Sequence, residues 1–130
     1  MKNLPTLLLT LLVSGSLWAD STDLKCDEEY EEIFGSIWIT INTKAESVVF
    51  YDFNNPIEGK DKKLSHFSLT KISWENFEGS GLPERLTLNR KTLVITSSKY
   101  KNFKHQCRIV ESHKPERLKR LEEIQEGNQL

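Results

Sequence analysis

The apolar residues of this chain fall mostly in short alternating runs. Ile37, Ile39 and Ile41 alternate with Trp38 and Thr40, the period of a half-buried strand. Asn42 to Ser47 is polar and predicts a turn. Val48 to Phe53, β-branched and aromatic, predicts the returning strand. Asn54-Asn55-Pro56 predicts its end, because proline cannot donate to a ladder and asparagine favours turns. The stretch from there to Lys63 then reads as a charged loop. Phe67 and Leu69 predict a short strand, and Ile72, Trp74 and Phe77 continue an apolar face after a break at Thr70-Lys71. Gly79-Ser80-Gly81 is a turn signal, and Cys107 to Val110 predicts the last strand.

One pattern occurs twice. Ile39-Thr40-Ile41-Asn42-Thr43-Lys44 is echoed by Leu86-Thr87-Leu88-Asn89-Arg90-Lys91, each followed by a second apolar run. The second run is Leu93-Val94-Ile95-Thr96. The spacing predicts two similar β-hairpins, the second tighter. The match is too short for a solenoid or propeller. After Val110 the pattern changes. Pro115 to Gln125 is rich in Glu, Arg, Lys and Leu, with proline placed where a helix can begin. Leu118, Leu121 and Ile124 form only a narrow stripe, which suits a peripheral helix or a frayed tail. Gly127 to Leu130 reads as disordered. The expected fold is mainly β, a small antiparallel meander or open barrel of roughly five to seven strands with one C-terminal helix. The expected core is Ile39, Ile41, Val49, Leu69, Trp74, Leu88, Leu93, Ile95 and Ile109.

The N-terminus adds a compartment. Lys2 gives a positive n-region, Leu4 to Val13 an almost wholly apolar h-region, and Leu17-Trp18-Ala19 a cleavage site before Asp20. An apolar run of about 10 residues is short for a bilayer, which takes roughly 20. The expected organisation is therefore a signal peptide (1–19), a β domain (20–112) and a charged helical tail (113–130). Bacterial periplasm or secretion is the expected location, with no stable membrane span after cleavage. An exported chain meets oxidising conditions, which favours an intramolecular Cys26–Cys107 disulfide over free thiols or an intermolecular bond. Such a bond closes a loop of about 80 residues, worth roughly 4–5 kcal/mol in the chain-entropy model. It would also set the acidic stretch from Asp23 to Glu32 beside Lys99, Lys101, Lys104, His105 and Arg108. The acidic stretch itself reads as a solvated terminal face rather than a cation site.

The chain of 130 residues is 37% hydrophobic and 28% charged, which suits one globular domain. Its formal net charge of -1 becomes about -2 once Lys2 is removed, which argues against general affinity for nucleic acid. Lys99, Lys101 and Lys104, interleaved with Tyr100 and Phe103, do not change that. Zinc-ligand spacing, a P-loop, H-E-x-x-H and G-x-S-x-G are all missing from the sequence, so no metal or cofactor is expected. His66 and His105 with a carboxylate such as Glu75 could serve a small secreted hydrolase. Histidines among surface lysines are more often structural. Trp38 and Tyr51 are the candidate binding face, on the first hairpin; the alternative packs them under a loop or the terminal helix.

Leu69-Thr70-Lys71-Ile72-Ser73-Trp74, Leu88-Asn89-Arg90-Lys91-Thr92-Leu93 and the late Cys107 together resemble a loose group of small exported β-rich proteins of proteobacteria. The resemblance covers Ile37 to Val110. This chain has Leu93 where that group often has glycine, and its charged C-terminal tail is its own. The resemblance implies a bacterial source and a β-rich fold, and carries no activity with it. The function expected is a non-enzymatic periplasmic or secreted accessory protein whose partner is an envelope or extracellular protein. The alternatives are the small hydrolase and a prophage-encoded envelope factor.

Overall fold

The computed structural model describes residues 20–29, 35–75 and 85–128. The leader, Phe77 and the Gly79-Ser80-Gly81 turn lie outside the described residues. The strands are β1 (Ser21–Glu28), β2 (Ile37–Asn42), β3 (Ser47–Asp52), β4 (Asn55–Lys63), β5 (His66–Phe67), β6 (Lys71–Glu75), β7 (Arg85–Asn89), β8 (Val94–Ser97) and β9 (Lys104–Val110). One helix, α1 (Lys114–Asn128), follows. All nine strands form one antiparallel sheet in the order β4-β3-β2-β1-β9-β8-β7-β6-β5.

That order contains two meanders, β1 to β4 and β5 to β9, and the β1–β9 ladder joins them. It also forces the sheet to curl. β4 and β5 lie at opposite edges, yet only Leu64 and Ser65 connect them. A flat nine-stranded sheet would hold its edges about 38 Å apart, at about 4.8 Å per step, while such a link reaches only about 10 Å. The backbone shows the transfer directly. Leu64 N–H donates to Glu46 O in the first meander (2.9 Å), and Ser65 N–H donates to Ser73 O in the second (2.8 Å). The result is a curled half-barrel whose inner faces pack on each other. Leu24, Ile39, Ile41 and Val48 from the first meander meet Ile72, Trp74, Leu86, Leu88 and Ile95 from the second in one buried cluster.

The mainly β class and the C-terminal helix match the sequence reading, with nine strands among the described residues instead of about five to seven. Two strands were hidden by charge. The acidic stretch expected at a terminal face forms β1 up to Glu28, in the interior of the sheet; Thr22, Leu24 and Cys26 are buried while Asp23, Lys25 and Asp27 turn to the outer face. The expected charged loop up to Lys63 is largely β4, an edge strand, where charges and a proline are tolerated. It bulges between Phe50 and Asp52 of its partner. Five of the nine expected core residues are fully buried, Ile39, Ile41, Trp74, Leu88 and Ile95. Leu69 is 75% exposed because β5 stops at Phe67 and leaves it in a turn, and Ile109 is 53% exposed beyond the last β8–β9 pair. Val49 is half-buried on the outer face opposite Thr40. The helix continues through Gly127 to Asn128, past the end expected for it.

The repeated pattern is a repeated structure. Both turns span four residues, 43–46 and 90–93, so the second is not tighter. In each the asparagine caps the turn: Asn42 Oδ1 accepts from Ala45 N–H (2.8 Å), and Asn89 Oδ1 accepts from Lys91 and Thr92 N–H (2.8 and 3.0 Å). In each the fourth turn residue is left-handed, Glu46 at φ 52° and Leu93 at φ 60°. Glycine takes that conformation freely, whereas a side chain with a Cβ is strained in it. Leu93 keeps a half-buried side chain against the core, whereas Glu46 is exposed and anchors nothing there.

Cys26 and Cys107 are bonded across β1 and β9 as directly opposed partners, 81 residues apart in sequence. The expected charge pairing accompanies them: Arg108 meets Asp27 (3.4 Å) and Lys104 meets Glu29 (3.2 Å).

Replacing both cysteines by serine is expected to lower unfolding stability by roughly 4–5 kcal/mol. Urea titration of the oxidised wild type and the double variant measures this; equal midpoints would refute it. Glu46→Gly is expected to stabilise by about 0.5–1 kcal/mol, because relief of left-handed strain exceeds the entropy glycine adds to the unfolded chain. Leu93→Gly gains less, having lost core contact. Thermal melts of the two variants check the order.

Candidate functional site

The most elaborate polar chemistry lies where α1 crosses the outer face of the first meander. α1 begins there because His113 is its N-cap: His113 O accepts the first helical bond from Arg117 N–H (3.1 Å). His113 N–H in turn donates to Asp23 Oδ2 (3.1 Å), and Ser112 Oγ accepts from Lys114 N–H (3.3 Å). Pro115 occupies the first turn, where its missing N–H costs no bond.

The His113 ring is 2% exposed. Arg117 Nε donates to its Nδ1 (2.9 Å), so that nitrogen must be unprotonated and Nε2 carries the hydrogen. Nε2 lies 2.9 Å from Thr40 Oγ1 and 3.2 Å from Ile39 O. The Thr40 hydroxyl donates onward to Asp23 Oδ1 (2.8 Å). One directional chain therefore runs Arg117 to His113 to Thr40 to Asp23, joining the helix to β1 and β2. Burial holds the His113 pKa below its ordinary value; Asp23, Ile39 O and Glu116 oppose this, and Arg117 adds to it.

Two arginines complete the contact. Arg117 Cζ stands 3.8 Å over the Tyr51 ring, and its guanidinium donates to Pro56 O (3.0 Å). Arg120 Cζ stands 3.6 Å over the Phe53 ring, and its Nε donates to Phe53 O (3.0 Å). β4 comes close enough for this through Gly59, where an added Cβ would fall 2.5 Å from Val49 Cγ1 and 2.7 Å from the Tyr51 ring. At the helix edge, Trp38 Nε1 donates to Glu116 Oε1 (3.2 Å), which also pairs with Lys25 (3.2 Å). An open groove of about 250 Å³ follows that edge, bordered by Ser36, Trp38, Phe53, Lys119 and Glu123.

Trp38 and Tyr51, the expected binding face, therefore lie together under α1. Trp38 is 3% exposed and Tyr51 half-buried, the arrangement of the alternative reading. The histidine and carboxylate constellation is not assembled. His105 is fully buried on the inner face, its Nε2 donating to Gly35 O (2.8 Å) and its ring 4.5 Å from Phe103. His66 is exposed opposite Ser73, and Glu75 pairs with Arg85 (3.1 Å). Among the described residues, no group of three or more His, Cys, Asp or Glu side chains is placed to hold a metal ion, and no helix is long and apolar enough to cross a membrane.

The second meander carries a different outer surface. Thr87, Thr92 and Thr96 with Asn89, Val94, Lys71 and Lys104 line a shallow groove of about 440 Å³. Thr87 Oγ1 is also within hydrogen-bond distance of Ser73 Oγ on β6 (2.9 Å).

Sequence reading missed His113, Arg117, Arg120, Asp23 and Thr40 as a unit. The available signal was the pair of arginines three apart on a helix with too few leucines to dock by itself. Comparison with family models, with curated proteins and with solved structures finds no match to this chain. The site is therefore interpreted from its own chemistry.

Burial depresses the pKa of both His105 and His113 below the ordinary 6.5. The unfolded chain then takes up protons near pH 6.5 that the folded chain refuses, so stability is full above that pH and falls as pH drops toward the folded values. Urea midpoints measured from pH 8 to 5.5 are expected to be flat and then decline below about 6.5. His113→Gln should remove the share of the decline that His105 does not supply. A midpoint that rises on acidification would contradict the neutral, buried state of both rings.

Proposed function

We propose that this chain is an exported, non-enzymatic binding domain of the bacterial envelope or its surroundings, acting on another protein. The observation that carries this reading is the use made of its titratable groups. His105 is closed inside the core, and His113 is held neutral between Arg117 and Thr40 under a helix. A general acid or base must reach both substrate and solvent protons, and neither ring is placed to do so. A cross-linked sheet is instead a rigid support for a surface.

Export is supported by the leader pattern at 1–19 and by the Cys26–Cys107 bond, which persists in an oxidising compartment. The resemblance to exported proteobacterial proteins supports a bacterial source.

The test uses native protein. Intact mass should correspond to a chain starting at Asp20 and lacking two hydrogens for the disulfide. Affinity capture from the same compartment should recover a stoichiometric protein partner, and His66→Ala, which changes the exposed histidine, should leave the phenotype intact. An attached leader with free thiols would sink the export reading. A His66→Ala defect without any captured partner would return the hydrolase.

A further inference from the structure

On the outer face of the second meander the polar side chains fall in rows. Ser73, Thr87, Thr96 and Lys104 are successive cross-strand partners on β6, β7, β8 and β9. Directly opposed side chains stand about 5 Å apart on one face, so these four make a continuous line across the sheet. Lys71 and Asn89 are partners in the next row on that face, two residues or about 7 Å along the strands. The groove of about 440 Å³ draws on both rows, with Thr92 from the turn and Val94 from β8. That volume lies in the range of small-ligand clefts, about 300–1,000 Å³.

The lining is rich in donors. Asn89 Oδ1 accepts from Lys91 and Thr92 N–H (2.8 and 3.0 Å), which uses both its lone pairs and leaves the NH₂ group for a ligand. The Thr87 hydroxyl is held by Ser73 Oγ (2.9 Å), itself only 4% exposed. Thr96 and Thr92 are exposed. The Lys71 ammonium has no partner among the described residues, whereas Lys104 is engaged by Glu29 (3.2 Å). Although the chain carries 19 Asp and Glu, none lines this groove among the described residues.

We propose that this groove binds an acidic sugar chain, with a carboxylate set on Lys71 and sugar hydroxyls on Asn89 and the threonines. Charge complementarity selects the occupant, because the lining offers cations and donors and no carboxylate to oppose an anion. Sugar hydroxyls donate and accept, as threonine hydroxyls do. Lys71 and Lys104 stand on the first and last of four neighbouring strands, about 14 Å apart, a span that suits a chain better than a single ring. Other occupants fit less well. The lining holds no aromatic ring, so nucleic-acid bases have nothing to stack on. Val94 alone gives a protein or a lipid surface little apolar area to cover. This site goes beyond the protein-binding role proposed above and does not rest on it.

The experiment titrates the oxidised mature chain with a galacturonate trimer and, separately, with a hyaluronan tetrasaccharide, followed by amide NMR. At least one should give saturable shifts confined to β6, β7, β8 and the 90–93 turn, with a dissociation constant of about a millimolar or tighter. Lys71→Gln should weaken binding at least about threefold, and so should the methyl ester of the trimer, which keeps the hydroxyls and loses the charge. Thr96→Val, at an exposed strand position, should weaken the acid and its ester alike, by about threefold. If Lys71→Gln does not fold, the ester carries the charge test on wild-type protein. Saturation by neither sugar overturns the proposal, as does equal affinity for acid and ester. Inorganic phosphate that reproduces the same shifts at the same affinity would make this an anion site only and also overturns it. Tighter binding of a dodecathymidylate than of either sugar would make the occupant a nucleic acid, with the same consequence. The titration reads this groove and native capture reads the protein partner, so the two readings fail separately.

Discussion

The β1–β9 ladder is the constraint on which the rest of this structure depends. It is where two sequence-local meanders become one sheet, and it pairs segments from opposite ends of the folded region. Such a long-range pairing is entropically expensive. The Cys26–Cys107 bond sits in that ladder and removes the loop entropy from the unfolded chain. The other junction is the two-residue link between β4 and β5 at the far edges. Joined at both places, the meanders have no flat arrangement available, and their inner faces close on each other. The buried cluster is the consequence of that closure, with contributions from both sides.

Closure of the inner face leaves two outer faces with different treatment. On the second meander the outer face is hydroxyl-rich, and Thr87, Thr92 and Thr96 need no cover. On the first it carries Trp38, Tyr51 and Val49, and α1 lies over it. The cover brings polar groups into a buried place, which costs free energy unless each finds a partner. His113 meets that demand only as a neutral ring, because its Nδ1 must accept from Arg117. Protonation would set two donors against each other and place a second positive charge beside the guanidinium. Depression of its pKa and attachment of the helix are thus one physical fact seen twice.

How much of this was legible in the sequence follows from which residues carry the signal. The hairpin repeat was readable because asparagine acts locally, and Asn42 and Asn89 both cap their turns. The central strands of each meander were readable from period-two aliphatics such as Ile39 and Ile41. β1 was obscured because its outer-face residues are Asp23, Lys25 and Asp27, which dominate its composition while Leu24 and Cys26 decide its placement. β4 was obscured because an edge strand is selected to look unlike a strand. Leu69 was misplaced in the core because alternation continues in sequence beyond the end of β5, and Ile109 because β8 ends before it, although it still pairs with Leu24 of β1. The site itself combines β1, β2, β3, β4 and α1, and no local window contains more than one or two of its members.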